Sequence, residues 1–121
     1  MLFRSQRLPL LWLVGHPGKL AKILAGDWDT HSGRSLSAVH SVTQLAGEFR
    51  LPLAASEVLS RCRSIEEAIE SLPAETLSPA FWNMVEDRIA TVVAPRLPNV
   101  ERIQVRLFRM DGGALGIANS K

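Results

Sequence analysis

Cysteine is almost absent from the sequence, and this limits both its covalent structure and its chemistry. Cys62 is the single cysteine among 121 residues, so no disulfide can form within the chain. A lone thiol fits a reducing compartment, and we expect a cytoplasmic protein. Cys62 stands in a helical pattern without an activating neighbour, which favours a buried structural side chain over a catalytic thiol.

The chain also lacks a strong excess of one charge and a long apolar run. Its 14 basic residues are opposed by 12 acidic ones, whereas nucleic-acid binding usually leaves a basic stripe. No apolar run approaches the roughly 18 residues of a membrane-spanning helix. The sequence therefore predicts neither a nucleic-acid partner nor a membrane span. Residues 1–14 have some character of a signal peptide, with Arg4 and Arg7 ahead of the apolar residues 8–14, but this run ends in Gly-His-Pro-Gly-Lys and not in a small-residue cleavage site.

The hydrophobic content of 46% and the net charge of +2 favour a folded chain, which we expect to form a single domain over residues 1–121. The apolar residues 8–14 predict a short strand buried on both faces. About four helices and a C-terminal β-hairpin follow, so the expected fold is α/β or α+β. Trp12, Trp28 and Trp82 are expected in the core or in the wall of a pocket.

The helices are predicted from apolar periodicity and from end signals. Gly47 should end the first, Ser56 should begin the second, and Ser64 with Glu67 forms a capping box for the third. Ser78 followed by proline begins the fourth. Alternation over residues 101–107 predicts a strand, and the turn at residues 110–113 predicts the returning strand of the hairpin, over residues 114–117.

A turn rich in glycine, Gly15-His16-Pro17-Gly18-Lys19, follows the first strand directly. Pro17 suits the first turn of a helix, and Gly26 suits its end. Such a turn can direct backbone N–H groups and the Lys19 ammonium at an anion. It is not a nucleotide-binding P-loop, because the first glycine and the final hydroxyl residue of that motif are missing. A plain strand-to-helix turn remains equally compatible with these residues.

A dense polar loop, residues 27–35, contains Asp29-Thr30-His31-Ser32 and Arg34. Neighbouring side chains on a loop cannot all converge on one point, although they can line one wall of a pocket. The three histidines show no metal-ligand spacing, and a Ser-His-Asp triad cannot be inferred from sequence neighbours. The alternative is an ordinary loop in which a serine caps the following helix.

Taken together, the turn and the loop resemble a family signature. Gly-His-x-Gly-Lys, a second lysine, Ala-Gly and then Asn/Asp-Thr-His-Ser mark the CbiD family of cobalt-precorrin-5B C1-methyltransferases, and this chain carries them from Gly15 to Ser32. The Glu67-Ala68 segment is similar to a Glu-Ala-x-x-x-Leu region of the family. Residues 105–116 are similar to its closing strand, Asp-Gly turn and Leu-Gly.

The resemblance implies methyl transfer from S-adenosylmethionine to C1 of a cobalt-bearing tetrapyrrole in anaerobic cobalamin biosynthesis. The cobalt belongs to the substrate, and no metal bound by the protein is expected. The residues implied in binding substrate or methyl donor are Gly15, His16, Gly18, Lys19, Asp29, Thr30, His31, Ser32 and Arg34, with His31 and Asp29 as catalytic candidates. Lys19 and Arg34 are suitable partners for the substrate's carboxylates.

The resemblance covers nearly all of this chain but only the C-terminal part of the family's enzyme. A fragment, a truncated reading frame and one piece of a split enzyme all fit this coverage. The expected partners are therefore the tetrapyrrole and either a separate N-terminal portion of the enzyme or a second copy of this chain. A non-catalytic binding module, or a relic of the enzyme, is the alternative.

Overall fold

The fold combines five α-helices with a two-stranded sheet in the part of the chain that the structure describes. This structure is a computed structural model, and it describes residues 7–26, 28 and 35–116. The elements in chain order are β1 (Leu11–Gly15), α1 (Pro17–Leu20), a 3-10 helix (Ala21–Ala25), α2 (Ser35–Phe49), α3 (Leu53–Arg61), α4 (Ile65–Ser71), α5 (Pro79–Val93), a second 3-10 helix (Ala94–Arg96) and β2 (Ile103–Leu107). The expected mixed helix-and-strand class is confirmed.

The sheet pairs the two ends of the chain. β1 and β2 are parallel, with Leu11 opposite Ile103 and Gly15 opposite Leu107. The expected C-terminal hairpin is reduced to one antiparallel bridge, between Phe108 and Ala114. β2 finds its main partner in β1 because the register brings its buried side chains into the same core layer. Ile117, the last residue of the predicted returning strand, lies outside the described residues.

One face of β1 is exposed, and here the expectation of a strand buried on both faces is wrong. Leu13 packs against the core, whereas Trp12 and Val14 are 47% and 60% exposed. The helices cover a single face of the two-stranded sheet, so the alternating side chains of β1 meet protein on one side only. Trp12 is therefore not a core residue, and its other expected place, in the wall of a pocket, stays a prediction. Trp82 is 1% exposed and lies in the core as expected.

The helix ends agree with the sequence where a side chain forms the cap. Ser64 and Ser78 each accept a hydrogen bond from a backbone N–H three residues later, at 3.1 and 3.3 Å. Glu67 takes part in the capping box with a shift of one residue, because its carboxylate accepts from the N–H of Arg63 at 2.7 Å and not from that of Ser64.

Two other helix ends were predicted wrongly. Gly47 lies inside α2, which continues to Phe49 and is followed by Arg50 in the left-handed region at φ 65°. A residue in that conformation commonly terminates a helix, and glycine is favoured there but not required. α3 begins at Leu53 after Pro52, which stands at the N-cap, and Ser56 lies within the helix.

The core lies between the helices and the inner face of the sheet. Phe81 and Trp82 of α5 are its largest members, and their rings meet edge to face at a centroid distance of 5.3 Å. Phe49 approaches Phe81 in the same way at 5.5 Å. α5 also packs directly against β2. Because β1 is paired with β2, the end of β1 and the turn that follows it are supported by this packed core.

Candidate functional site

The turn after β1 is organised by the imidazole of His16. His16 has extended backbone geometry and is the N-cap of α1, with its Nδ1 accepting from the Gly18 N–H at 2.9 Å. A Cβ on Gly18 would lie 2.9 Å from the same Nδ1, which is closer than Cβ atoms are found. A side chain at position 18 would therefore have to displace the ring of His16. Gly26 ends the following 3-10 helix at φ 79°, as expected.

The same imidazole joins the turn to α4. Its Nε2 lies 2.8 Å from Oε1 of Glu66, a residue 50 positions later in the chain. Because Nδ1 accepts from Gly18, the ring proton is on Nε2, which donates to the carboxylate. The side chains of His16 and Glu66 are 17% and 32% exposed. Both ring nitrogens are thus engaged by the protein itself.

The first N–H groups of α1 already have acceptors. Pro17 has no N–H, Gly18 donates to the imidazole, and Lys19 donates to the backbone oxygen of His16 at 3.0 Å. The side chain of Lys19 is exposed beside them, whereas Lys22 in the next turn is only 4% exposed. Lys19 is therefore the group of this turn that can reach a ligand in solution.

The C-terminal segment lies beside the turn, at the same end of the sheet. Gly15 and Leu107 are opposite each other in the register, and the Phe108 N–H donates to the Gly15 carbonyl oxygen at 2.9 Å. Because the strands are parallel, both carboxyl ends meet at one edge, which is where ligands bind in parallel sheets. Two segments of the family resemblance, about 90 residues apart in sequence, are neighbours here.

A buried carboxylate fastens this C-terminal segment to α5. Glu86 is 5% exposed, and its Oε2 accepts from the Leu107 N–H at 2.9 Å while its Oε1 accepts from the Asn83 amide at 2.9 Å. The Leu115 N–H donates to the Leu107 carbonyl oxygen at 2.9 Å. A Cβ on Gly116 would lie 2.6 Å from Nδ2 of Asn83. Gly116 thus lets the tail cross closely over the carboxylate.

Glu66 and Glu86 were missed by reasoning from sequence. Glu86 carries a detectable signal, because it stands between Trp82 and Ile89 at helical spacing, on a face that is otherwise apolar. Glu66 carries no such signal, since it occupies the first turn of α4, where acidic residues are common for helix-dipole reasons alone.

Most of the predicted polar loop lies outside the described residues. This holds for Asp29, Thr30, His31, Ser32 and Arg34, so their positions relative to the turn stay a prediction. Next to the loop, Trp28 is 38% exposed and stacks on the guanidinium of Arg96, whose Cζ lies 4.0 Å from the ring centroid. This contact is of the cation–π type and places Trp28 near the end of α5.

Cys62 has a structural environment in the described part of the chain. Cys62 is buried and its Sγ donates to the Val58 carbonyl oxygen at 3.3 Å. Burial raises the pKa of its thiol, with a smaller contribution from the Glu67 carboxylate. Among residues 7–26, 28 and 35–116, no three side chains of the His, Cys, Asp or Glu types are grouped so that they could hold a metal ion. Nor does this part contain a helix long and apolar enough to span a membrane.

Comparison with known proteins decides the family. The model of the CbiD C-terminal domain matches residues 29–119, which is three quarters of the chain. This chain belongs to the CbiD family. The matched range begins at the Asp29-Thr30-His31-Ser32 motif and includes the tail, while the Gly15–Lys19 turn precedes it.

Curated relatives in the CbiD family extend the similarity over the turn as well. A protein of Ralstonia nicotianae named cobalt-precorrin-5B C(1)-methyltransferase is 44% identical over 115 residues, which are 95% of this chain and 30% of that relative. Relatives of the same name from Chromobacterium violaceum and Syntrophotalea carbinolica are 37% and 35% identical, and the match covers 29% of each. The chain therefore spans under a third of the length of these relatives. No solved structure is significantly similar to it.

Proposed function

We propose that this chain supplies one part of a cobalt-precorrin-5B C1-methyltransferase, which transfers a methyl group from S-adenosylmethionine to C1 of the cobalt-bearing ring. The observation that carries the proposal is the 44% identity over 95% of the chain to a curated protein of that name. The rest of the enzyme, for which the relatives have additional sequence, would complete the site.

The turn after β1 supports a role in holding the tetrapyrrole. Such rings carry acetate and propionate carboxylates, and the exposed Lys19 at the carboxyl edge of the sheet is a suitable partner for one of them. In this proposal Gly15 lets the turn pass close to the ligand. Gly18, His16 and Glu66 are positioning residues, because they fix the backbone on which Lys19 stands.

The polar loop is assigned the remaining contacts. Arg34 is proposed to bind a second carboxylate, and Thr30 and Ser32 to donate or accept hydrogen bonds from either ligand. Asp29 and His31 are the candidates for accepting a proton from the substrate. S-adenosylmethionine supplies an activated methyl group when bound, and methyl transfer to carbon depends mainly on holding donor and acceptor in line. The protein's share of the catalysis is then orientation, exclusion of water and acceptance of this proton.

A second candidate follows from the length of the chain. Because it spans only about 30% of the relative from R. nicotianae, it can also be a non-catalytic binding module whose motif residues merely shape the turn. The two candidates differ in one respect, since a module of this kind transfers no methyl group even when the rest of the enzyme is supplied.

The test is an assay of methyl transfer to cobalt-precorrin-5B. The chain is assayed alone and as a chimera in which it replaces the matching C-terminal part of the R. nicotianae enzyme. We expect product from the chimera, and strongly reduced product after Lys19→Ala or His31→Ala, with Arg61→Ala on α3 as a surface control. A folded but inactive chimera would favour the non-catalytic module.

Binding separates the site assignment from the overall activity. Calorimetric titration of the chimera with S-adenosylmethionine, and with cobalt-precorrin-5B, should show weaker binding of at least one ligand in the Lys19→Ala and His31→Ala variants. Unchanged affinity for both ligands in both variants would refute the assignment of these residues to the site.

A further inference from the structure

β1 has an apolar outer face that the described part of the chain leaves uncovered. Trp12 and Val14 alternate along the strand and share this face, and Leu10, two residues earlier, is 39% exposed. On β2 the residues opposite them are Gln104 and Arg106. The Arg106 guanidinium lies 5.6 Å from the centroid of the Trp12 ring. The face is thus a short apolar row flanked by polar side chains on one side only.

β1 also has an open backbone edge. The Leu11 N–H donates to the Arg102 carbonyl oxygen, and the Gly15 carbonyl oxygen accepts from Phe108, so the odd-numbered residues of β1 bond to β2. The N–H and C=O groups of Trp12 and Val14 therefore point away from β2. Among the residues the structure describes, β1 has no strand on that side.

The opposite edge of the sheet, formed by β2, has hydrogen-bond partners within the chain near its carboxyl end. On β2 the Leu107 N–H donates to the Glu86 carboxylate, and the Leu107 C=O accepts from the Leu115 N–H. The outward backbone groups of Leu107, at the end of β2, are therefore satisfied within the chain. The Leu-Trp-Leu-Val-Gly sequence of β1 contains neither a charge nor a proline, which are two of the features that protect a permanent edge. Parallel sheets are normally covered on both faces, and two strands alone are marginally stable.

On the basis of the function proposed above, we propose that the outer face and open edge of β1 bind the N-terminal portion of the CbiD enzyme, through a strand added beside β1. The chain spans 30% of the R. nicotianae relative, and the greater part of that enzyme is available to fill this place. An added strand would satisfy the backbone groups of Trp12 and Val14, and its packed residues would cover the Trp12 ring.

Hydrogen exchange at single amides tests the added strand, using the intact chain and the chimera described above. In the chain alone, kept dilute enough to be monomeric, the amides of Trp12 and Val14 should exchange fast, while that of Leu11, bonded to β2, is protected. In the chimera we expect exchange at Trp12 and Val14 to become at least about tenfold slower, as for amides in a closed sheet. Amides of α5 report whether the chimera is folded. Equal rates at Trp12 and Val14 in a folded chimera would overturn the proposal.

Self-association provides a second measurement that does not depend on the chimera. Without its partner, the open edge should cause the chain to associate as concentration rises in sizing chromatography. Trp12→Lys should restore the monomer, whereas Leu53→Lys should not, because Leu53 is 77% exposed on α3, away from the sheet. A wild-type chain that stays monomeric at high concentration would contradict the proposed surface.

Two further outcomes separate this proposal from the proposed function. Protection of Trp12 and Val14 in a chimera that transfers no methyl group would support the docking surface and contradict the activity. Methyl transfer by a chimera in which Trp12 and Val14 are not protected would support the activity and contradict the docking surface. Self-association through β1 combined with unchanged exchange in the chimera would assign the surface to a second copy of this chain and overturn the proposal.

Discussion

Replacing the buried carboxylate of Glu86 should destabilise the chain by an amount that its contacts define. In Glu86→Leu the side chain keeps a similar size, but the Leu107 N–H and the Asn83 amide lose their acceptor. Leu107 is 1% exposed, so water cannot replace the bond, and an unsatisfied buried donor costs about 1–3 kcal/mol. The Asn83 side chain is half-buried and can turn toward solvent, so its share is smaller.

Urea denaturation followed by circular dichroism measures this loss as a free energy of unfolding. A decrease of about 1–3 kcal/mol, at roughly 1–3 kcal/mol per molar urea, lowers the midpoint by about 0.3–3 M without changing the slope. The matched control is Asp87→Leu, because Asp87 is exposed on the same helix. A Glu86→Leu variant within about 0.5 kcal/mol of that control would refute the structural role of the carboxylate.

The same cluster can be disturbed from the other side. Gly116→Ala would place a Cβ 2.6 Å from Nδ2 of Asn83 and 3.0 Å from Oε2 of Glu86. The Asn83 amide must then move away from Glu86, and we expect a loss of about 1–2 kcal/mol of stability. If the two variants act through one network, the Glu86→Leu, Gly116→Ala double variant should lose less than the sum of the single losses.

Three further predictions concern local contacts. Gly18→Ala should lower the free energy of unfolding by about 1–2 kcal/mol, because its Cβ displaces the N-cap imidazole. Gly47→Ala, in open space inside α2, should raise the free energy of unfolding by about 0.5–1 kcal/mol, and a change of the same sign in both variants would contradict this reasoning. The Cys62 thiol, whose pKa is raised by burial, should react with a thiol reagent only as fast as the chain unfolds, and its contribution to stability should be lost as pH rises through that raised pKa; rapid labelling of the folded chain would contradict burial. The hydrogen bond from Arg88 lowers the pKa of Glu48, so their pair should stabilise the chain above the ordinary carboxyl pKa and weaken as pH falls through the lowered one; Arg88→Ala should remove this part of the acid sensitivity in melts taken at several pH values.

Signals contained within a few consecutive residues were readable from the sequence. Ser64 and Ser78 were predicted as caps correctly, because an N-cap needs only a hydroxyl and the N–H two or three residues later. Pro17 and Gly26 marked the limits of the helical turn between them for similarly local reasons. Gly47 shows the limit of this reasoning, since glycine is tolerated within a helix that tertiary packing stabilises.

Features that depend on distant partners were not readable. The parallel pairing of β1 with β2 joins residues about 90 positions apart. The sequence of neither strand contains a signal that identifies its partner strand. The bond between His16 and Glu66 has the same character across 50 positions. The apolar run of β1 predicted burial on both faces, and its composition agrees with that expectation, although the described residues cover only one face.

The proposed interface on β1 lies next to the proposed ligand site in the chain. β1 runs from its apolar outer face directly into the turn that carries Lys19. A strand added parallel to β1 would end beside that turn, at the carboxyl edge where Gly15 and Phe108 already meet. In the proposed arrangement the partner would supply a further wall of the proposed ligand site at this edge. Assembly and ligand binding are coupled in this arrangement, so a substitution at Trp12 should weaken ligand binding in the chimera although Trp12 is not one of the proposed ligand-binding residues.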